Sequence, residues 1–310
     1  MIAFVFPGQG SQKIGMGTDL AEASSIAREV FGEVDEALSQ NLYRLMAEGP
    51  ESELTMTANA QPAIMANSMA VVRILEDGGF SLSEKGDAVA GHSLGEYSAL
   101  ASVGAFSLTD TSKLLRTRGI AMQDAVPIGL GSMCALLGAD LEKAQALADA
   151  AAEGQVCEVA NDNDPGQVVL SGHAEAIDRA VAMAKDHGCK RAVKLPVSAP
   201  FHCSLMQPAA QRMNFALNDV PPQAFRLPLY ANVTAAEVTD PATERDLLVE
   251  QITGRVRWRE SMLAMQEAGV TQFIELGGKV LGPMIRKIAP DATVTSVMTM
   301  DDIEALAKEV

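Results

Sequence analysis

The sequence predicts an α/β protein whose parallel-sheet core is interrupted by a small inserted subdomain. In both outer parts of the chain, short apolar runs alternate with helical periodicity, which is the pattern of a parallel α/β sheet. Between about residues 130 and 195 the order changes to β-α-β-β-α-β, the ferredoxin-like arrangement. This middle segment is bounded by Pro127-Ile128-Gly129 and Pro196, residues that interrupt regular structure. We therefore expect a core of residues 1–127 and 197–310 and an inserted subdomain of residues 128–196.

The first part of the core begins with a short strand. Residues 2–6 are apolar, and Pro7-Gly8 ends the run, so a buried strand is expected there. The elements predicted after it are helices near 18–39 and 61–77, a strand at 87–90, and helices near 94–103 and 109–123.

The inserted subdomain and the second part of the core follow the same reasoning. In the subdomain we expect strands at 132–137, 156–160, 167–170 and 191–195 and helices at 141–152 and 175–187. After it we expect a helix from about 204, a strand at 228–231, helices near 244–252 and 259–268, a strand at 271–275 and a final helix near 280–288.

Composition limits the classes of partner. Among 310 residues, 48% are hydrophobic and 21% charged, which is typical of a globular protein. Lys and Arg number 24 against 40 Asp and Glu, so the net charge is −16. Nucleic acids and anionic membrane surfaces are therefore not expected as partners, since both require clustered cations.

The cysteines and the N-terminus favour a cytoplasmic protein. The four cysteines show neither C-x-x-C spacing nor a metal-site pattern with the four histidines, so we expect free thiols and no metal. The N-terminus has no basic lead before its apolar run, and no apolar run reaches the ~20 residues that span a bilayer. We also expect a monomer.

A serine lies between two glycines in Gly91-His92-Ser93-Leu94-Gly95. The stretch follows an apolar run and precedes an apparent helix, which is the strand–turn–helix context of a nucleophile elbow. Small residues on either side of the serine let the strand and the helix approach closely. The pattern is short, and a serine that only caps the helix is the alternative interpretation.

A serine nucleophile needs a base, and four histidines are candidates. His92 adjoins the serine, so its ring is expected to point away. His173 lies at a strand-to-helix turn, and His187 is interpreted as a helix cap. His202 ends the proline-bounded loop that begins at Pro196, and rigidly held loops commonly carry catalytic side chains. His202 is therefore the preferred base, and its neighbour Cys203 is interpreted as a packing residue.

The loop after the first strand, Pro7 to Gln12, offers a close backbone approach and an amide side chain. Its glycine spacing matches neither a dinucleotide motif nor a phosphate loop, so a nucleotide site is excluded.

Several separate motifs occur together in one order. They are Phe6-Pro7-Gly8-Gln9-Gly10-Ser11-Gln12, Gln61-Pro62-Ala63, Gly91 to Tyr97, Arg118-Gly119, Met122-Gln123, Asn161, Pro165 to Val169, Ala199-Pro200-Phe201-His202, Asn232-Val233 and Glu275-Leu276-Gly277. Through them, nearly the whole chain resembles the bacterial malonyl-CoA:acyl-carrier-protein transacylases of fatty-acid synthesis. The resemblance implies a hydrolase-like α/β core that carries a ferredoxin-like subdomain. It also implies malonyl-CoA and acyl carrier protein as partners, and no cofactor.

The resemblance also assigns roles to residues. Ser93 would take the malonyl group as an ester, and His202 would move the proton. The N–H groups of Gln9 and Leu94 would form the oxyanion hole. Arg118 would bind the malonyl carboxylate, although Arg116 is an equal candidate from the sequence alone.

Further residues are assigned to the substrate site by the same resemblance. Gln251 would orient His202 or the substrate, in place of a third acidic residue. His92, Asn161 and Phe201 would also belong to the site, with Phe201 typical of the malonyl-selective form.

Two other function classes stay open on the sequence alone. A serine hydrolase or thioesterase shares the G-x-S-x-G motif and would pass the acyl group to water. A carrier-binding scaffold without catalysis is the other. Because carrier proteins are acidic, docking needs a local basic patch on this acidic chain. The candidates are Lys190, Arg191 and Lys194 on the subdomain, and Arg255, Arg257, Arg286 and Lys287 on the core.

Overall fold

The computed structural model describes residues 1–309, which form two separate sheets. The strands found there are β1 (Ile2–Phe6), β2 (Ala88–Gly91), β3 (Gly131–Leu137), β4 (Cys157–Asp164), β5 (Gln167–His173), β6 (Arg191–Lys194), β7 (Leu229–Tyr230), β8 (Glu237–Val238), β9 (Gln272–Leu276) and β10 (Thr293–Val297).

Helices surround these sheets. They are α1 (Thr18–Ala23), α2 (Ser25–Leu38), α3 (Leu42–Glu48), α4 (Glu51–Leu54), α5 (Thr57–Asp77), α6 (Leu82–Lys85), α7 (Gly95–Ser102), α8 (Leu108–Asp124), α9 (Leu141–Ala152), α10 (Ala174–Met183), α11 (Gln207–Asp219), α12 (Pro241–Glu250), α13 (Trp258–Glu267), α14 (Gly282–Ile288) and α15 (Met300–Glu309). A short 3-10 turn, Ser204–Met206, precedes α11.

The larger sheet has the strand order β10-β9-β1-β2-β7-β8 and is parallel except for the antiparallel edge pair β7–β8. The predicted α/β class with a parallel sheet is thus confirmed. In the centre, Phe6 of β1 is paired with Gly91 of β2, so these two strands end side by side. The loop after β1 and the turn after β2 therefore meet at the carboxyl edge of the sheet, where ligands of α/β proteins commonly bind.

The smaller sheet has the order β4-β5-β3-β6, with every pair antiparallel. With α9 and α10 it follows the predicted β-α-β-β-α-β order. It has its own buried apolar cluster, which includes Leu136, Leu147, Leu170 and Ile177. The ferredoxin-like arrangement is confirmed, and its independent core explains how it can be inserted without disrupting the larger sheet.

The end of β4 connects the two units. Asn161 forms a parallel bridge with Val256, which lies between the core helices α12 and α13. The buried carboxylate of Asp162 accepts three hydrogen bonds from Arg259 of α13, and Asp164 pairs with Lys287 of α14 at 2.8 Å. The small sheet is therefore fixed against the core beside the edge where β1 and β2 end.

Several local predictions were wrong. The helix expected at 175–187 ends at Met183, and the strand expected at 167–170 continues to His173. The helix expected over 18–39 is two helices, because the Ser24 side chain accepts hydrogen bonds from the N–H groups of Ile26 and Ala27 and starts α2. The helix near 280–288 is not the final one, since β10 and α15 follow it. The strand expected at 156–160 continues to Asp164, because the polar residues at its end pair with the core.

Within residues 1–309, no helix is long and apolar enough to cross a membrane.

Candidate active site

The turn after β2 holds Ser93 in a strained conformation. Its φ is 53°, a left-handed value that is uncommon for a residue with a side chain. A Cβ at Gly91 would lie 1.9 Å from the backbone carbon of Gly95, and one at Gly95 would lie 2.3 Å from the Phe6 carbonyl oxygen. Glycine is therefore required at both positions for the strand and helix to pack this tightly, and the strain presents the serine at the sheet edge.

His202 is brought to this serine from 109 residues away. Its Nε2 lies 2.8 Å from Ser93 Oγ, and its Nδ1 lies 2.8 Å from the carbonyl oxygen of Gln251. Because a carbonyl only accepts, Nδ1 must carry the proton, which leaves Nε2 free to accept from the serine. Burial, with a smaller contribution from Arg118, lowers the pKa of His202 to about 3. The imidazole is thus a neutral base at neutral pH.

Two amides hold the backbone of the serine. The Ser93 N–H donates to Asn232 Oδ1 at 2.7 Å, and Asn232 Nδ2 donates to the Gly91 carbonyl oxygen at 2.7 Å. Gln251 Nε2 donates to the Ser93 carbonyl oxygen at 3.0 Å. The N–H and the carbonyl oxygen of Ser93 therefore both have hydrogen-bond partners, which stabilise the strained turn.

Arg118 is 1% exposed and lies against the nucleophile. Its Nη2 donates to Ser93 Oγ at 3.0 Å and to Gln251 Oε1 at 2.9 Å, and its Nη1 donates to Gln61 Oε1 at 2.8 Å. Among the described residues, its Nε has no acceptor. The guanidinium is thus a buried cation with neutral partners and an Nε–H that is free to donate.

The neighbours of Arg118 distinguish it from Arg116. A Cβ at Gly119 would lie 2.6 Å from the Ala58 Cα, so α8 packs directly on α5 and turns Arg118 inward. Arg116 instead donates to the side chains of Asn59 and Gln40. Of the two arginines left open by the sequence, Arg118 is the one placed beside Ser93.

A cavity of about 330 Å³ opens over the serine. The lining residues from the core include Gln9, Gln61, His92, Ser93, Arg118 and His202, those from the small sheet are Met133, Asn161, Asn163 and Val169, and the connecting segment adds Leu195, Pro196, Val197 and Phe201. Both sheets therefore contribute walls to one site.

The other predicted site residues surround the serine. Gln9, Asn161 and Phe201 line the cavity. Within residues 1–309, neither the Gln9 nor the Leu94 N–H donates a hydrogen bond to the protein, so both donors are available. His92 is directed to the small sheet, with its Nε2 2.8 Å from Asn163 Oδ1, and burial lowers its pKa.

The remaining histidines and the cysteine beside His202 have other roles. His173 Nδ1 accepts from the Val156 N–H, and His187 contacts the Met183 carbonyl oxygen at its helix end. Cys203 is fully buried, its thiol donates to the Pro200 carbonyl oxygen, and burial raises its pKa to about 11. In the described part of the chain, no group of three or more His, Cys, Asp or Glu side chains could hold a metal ion.

Three residues of the site were not assigned a role from the sequence. Asn232 and Gln61 occur in the quoted motifs, but their roles depend on partners far along the chain. Asn232 follows β7 at the carboxyl edge of the sheet, and a polar residue at such a position is a signal that could have identified it. Asn163 lies at the end of β4 and could not be placed without knowing how the two sheets meet.

The geometry provides the parts of an acyl-transfer site. It contains a serine hydroxyl within hydrogen-bond distance of a neutral imidazole that a carbonyl orients, two free backbone donors and a buried cation. Such a site can form and break an ester on Ser93, and its cation favours an acyl group that ends in a negative charge.

Comparisons with known proteins agree with this chemistry. Residues 3–280 match the family described as the acyl transferase domain. The malonyl CoA-acyl carrier protein transacylase of Bacillus subtilis (strain 168) is 43% identical over 305 residues, covering 98% of this chain and 95% of that protein. The acyl-carrier-protein-S-malonyltransferase from Bartonella henselae superposes with a TM-score of 0.97 at 52% identity, covering 99% of this chain and 98% of that one. A malonyl-transacylase solved in complex with its holo type II PKS acyl-carrier protein has a TM-score of 0.96 at 36% identity, covering 100% of this chain and 99% of that one.

Proposed function

The chain belongs to the acyl transferase domain family, and from this premise we propose that it transfers malonyl from malonyl-CoA to the phosphopantetheine thiol of acyl carrier protein, for fatty-acid synthesis. The observation that carries the proposal is the buried Arg118 guanidinium 3.0 Å from Ser93 Oγ. A cation beside the nucleophile fits an acyl group with a terminal carboxylate.

In the first half of the cycle, Ser93 Oγ attacks the thioester carbonyl carbon. Its proton passes to His202 Nε2, which lies 2.8 Å away, while the Nδ1–H stays on the Gln251 carbonyl oxygen. The C–S bond then breaks, and the proton moves from His202 to the departing sulfur of CoA. The product is a malonyl ester on Ser93.

In the second half, the carrier thiol takes the place that CoA has left. His202 accepts the thiol proton, the sulfur attacks the ester carbonyl carbon, and the C–O bond to Ser93 breaks. The proton then returns to Ser93 Oγ. The cycle requires no cofactor, since the protein and the two thiols supply every group.

The N–H groups of Gln9 and Leu94 are proposed to hold the oxyanion in both halves. They lie on the two loops that the paired ends of β1 and β2 bring together. Each such donor typically contributes about 3–4 kcal/mol to stabilising the transition state.

Arg118 is proposed to bind the malonyl carboxylate through Nε and Nη2. The Nε–H has no acceptor in the described chain, and the carboxylate would replace Ser93 Oγ on Nη2. Two parallel hydrogen bonds from one guanidinium match the two oxygens of a carboxylate. This replacement also frees the Ser93 hydroxyl to interact with His202 alone.

A serine hydrolase, the alternative from the sequence, is not favoured. Its usual acidic third residue is replaced here by the carbonyl oxygen of Gln251. The structural relative in complex with an acyl-carrier protein supports a carrier thiol as the acceptor.

We place the carrier-docking surface at Lys190 and Arg191, at the start of β6. Both are exposed, and neither forms an ion pair within residues 1–309, whereas Lys194 pairs with Asp178. β6 spans about 13 Å at 3.3 Å per residue and leads into Leu195, which lines the cavity. Two unpaired cations near the cavity suit an acidic partner. We also propose that the protein is a monomer. A reducing cytoplasmic location is proposed as well, and the four buried, free cysteines support it.

Intact-protein mass spectrometry tests the proposed function. Malonyl-CoA alone should add one malonyl group to the wild-type chain and none to the Ser93→Ala variant. Adding holo acyl carrier protein should then move the group to the carrier. Loss of the ester at the same rate with and without the carrier would instead identify a hydrolase.

A further inference from the structure

Two buried carboxylates lie behind the nucleophile and take no part in the proposed cycle. Glu96 is the second residue of α7, directly after the elbow, and Glu244 lies on α12; both are 0% exposed. Glu96 Oε2 accepts from the Asn232 N–H at 2.8 Å, and the Asn232 side chain accepts from the Ser93 N–H. A continuous chain of contacts therefore connects a carboxylate to the backbone of the nucleophile.

Glu244 and Glu96 are close enough for each carboxyl group to shift the pKa of the other. Both oxygens of Glu244 and Oε1 of Glu96 have no hydrogen-bond partner among the described residues. Burial raises the pKa of Glu96, and burial together with the neighbouring Glu96 raises the pKa of Glu244 well above its usual value. Two buried carboxyl groups in contact cannot both be ionised, so at least one proton stays on the pair.

The charged and titratable groups that face this pair are Arg118 and Tyr97. Tyr97 stays neutral, because burial raises its pKa above the physiological range. Arg118 Cζ lies 5.7 Å from the Tyr97 ring centroid, and Gln251, which accepts from Arg118, also favours the charged form of Glu96. No carboxylate forms an ion pair with Arg118 within residues 1–309, and Glu96 is the carboxyl group whose charge favours the charged form of the guanidinium.

We propose that the Glu96–Glu244 pair is a positioning group that balances the Arg118 charge in the free site and takes up a proton when a malonyl carboxylate binds that guanidinium. The inference rests on the proposed function, because it requires a substrate carboxylate on Arg118. Once the substrate supplies a negative charge, a second one behind Arg118 is unfavourable in a buried site. Binding of the malonyl group therefore takes up a proton, and the free energy of binding depends on pH.

Proton uptake on binding determines the direction in which malonyl affinity changes with pH. Since malonyl binding takes up a proton, malonyl affinity must fall as the pH rises through the pKa of the free pair. With one proton taken up, the KM for a malonyl thioester should rise between pH 6 and pH 8, by up to about tenfold for each pH unit above the pKa of the free pair, which burial raises from its usual acidic value. His202 cannot cause this change, because its pKa is lowered to about 3.

The substrate for the test should be malonyl-N-acetylcysteamine, since the phosphates of CoA titrate in the same range. The readout is KM for ester formation as a function of pH. Acetyl-N-acetylcysteamine is the matched control: it lacks the carboxylate, so its KM should not change over this range.

Two isosteric variants separate this role from a purely structural one. The double variant Glu96→Gln, Glu244→Gln keeps an oxygen for the Asn232 N–H but leaves no titratable carboxyl group in the pair, so its KM should stay low even at pH 8. Glu244→Gln donates an amide hydrogen to Glu96 and keeps it ionised, so its KM should stay high even at pH 6. The two variants should therefore remove the pH dependence in opposite directions.

The proposal is overturned if the wild-type KM for the malonyl thioester does not change with pH, or if both variants shift it in the same direction. Circular dichroism and a thermal melt establish that each variant is folded. If one variant does not fold, the KM of the other variant, measured against pH, still tests the proposal. Absence of a malonyl ester on the wild-type chain would instead contradict the proposed function.

Discussion

The Arg118 guanidinium donates its hydrogen bonds to three neutral oxygens, on Ser93, Gln61 and Gln251. Neutral acceptors satisfy the donors but do not neutralise the charge. A buried cation with such partners favours an anionic ligand over a neutral one of the same size, because an anion can bond the free Nε–H and neutralise the charge by direct contact. The buried charge of Arg118 thus explains why a malonyl group would be preferred over an acetyl group.

Replacing Arg118 with alanine should lower kcat/KM for malonyl-CoA by roughly 10²-fold or more, because two charge-assisted hydrogen bonds are lost. Rejection of acetyl-CoA should become weaker in the same variant. Steady-state kinetics with both substrates measure the ratio. Arg116→Ala is the matched control, since Arg116 contacts Asn59 and Gln40 instead, and unchanged selectivity in the Arg118 variant would remove it from the site.

Residues with a local signature could be predicted from the sequence. Ser93 lies in a motif whose glycines have a steric cause, and His202 lies in a proline-bounded loop. Glu96 could not be distinguished in this way, because a glutamate in the first turn of a helix is ordinary. Its partners Asn232 and Glu244 are more than a hundred residues away along the chain, and only the fold brings them to it.

Among the elements, the elbow depends on two glycines with no space for a side chain. Gly91→Ala should destabilise the protein by at least about 3 kcal/mol, because its Cβ would lie 1.9 Å from the backbone of Gly95. Gly32→Ala is the control: this exposed position in α2 has no atom within 4 Å of the added Cβ, and the change should stabilise the protein by up to about 1 kcal/mol. Urea denaturation compares the two, and equal effects would contradict the steric explanation.

The type and order of the longer elements could be predicted, since hydrophobic periodicity depends on neighbouring residues alone. β1 was predicted at its observed bounds, and α9 was as well. β10 was missed because its residues are only partly buried until Val297, so the strand carries a weak apolar signal. The break at Ser24 was missed because a serine within an amphipathic stretch acts as a cap only when its side chain turns to the backbone.

The two sheets are held together by ion pairs of the buried carboxylates Asp162 and Asp164 at the end of β4. Arg259→Ala should lower the free energy of unfolding by about 3 kcal/mol, because it leaves Asp162, with a side chain 1% exposed, without its partner. Arg44→Ala removes an ion pair whose side chains are 71% and 64% exposed, and should change stability by less than about 0.5 kcal/mol. Similar midpoints for both variants in urea would show that the β4 contact is not stabilising.

Removing the charges of Lys190 and Arg191 tests the proposed docking surface. The double variant Lys190→Ala, Arg191→Ala should raise KM for acyl carrier protein by about 3- to 10-fold, with little effect on KM for malonyl-CoA. Removing Arg73 and Lys113, two exposed cations of the core, makes the same change in net charge and serves as the control. Equal effects of the two double variants would contradict docking at the start of β6.

The position of the small sheet relative to the core could not be predicted. Its strands and helices follow from local patterns, but the contact depends on Asn161, Asp162 and Asp164 meeting residues about a hundred positions later. A run of Asn and Asp in a sequence usually indicates a turn. Here it forms the end of a buried strand, since the core supplies the opposite charges.

The cavity walls come from two sources, with Ser93, His202 and Arg118 on the core and Met133, Asn161 and Val169 on the small sheet. Ser93, His202 and Arg118 therefore lie outside the inserted segment, which supplies only part of the wall around the acyl group. Substitutions in the inserted segment can reshape that part of the cavity without replacing any of these three residues.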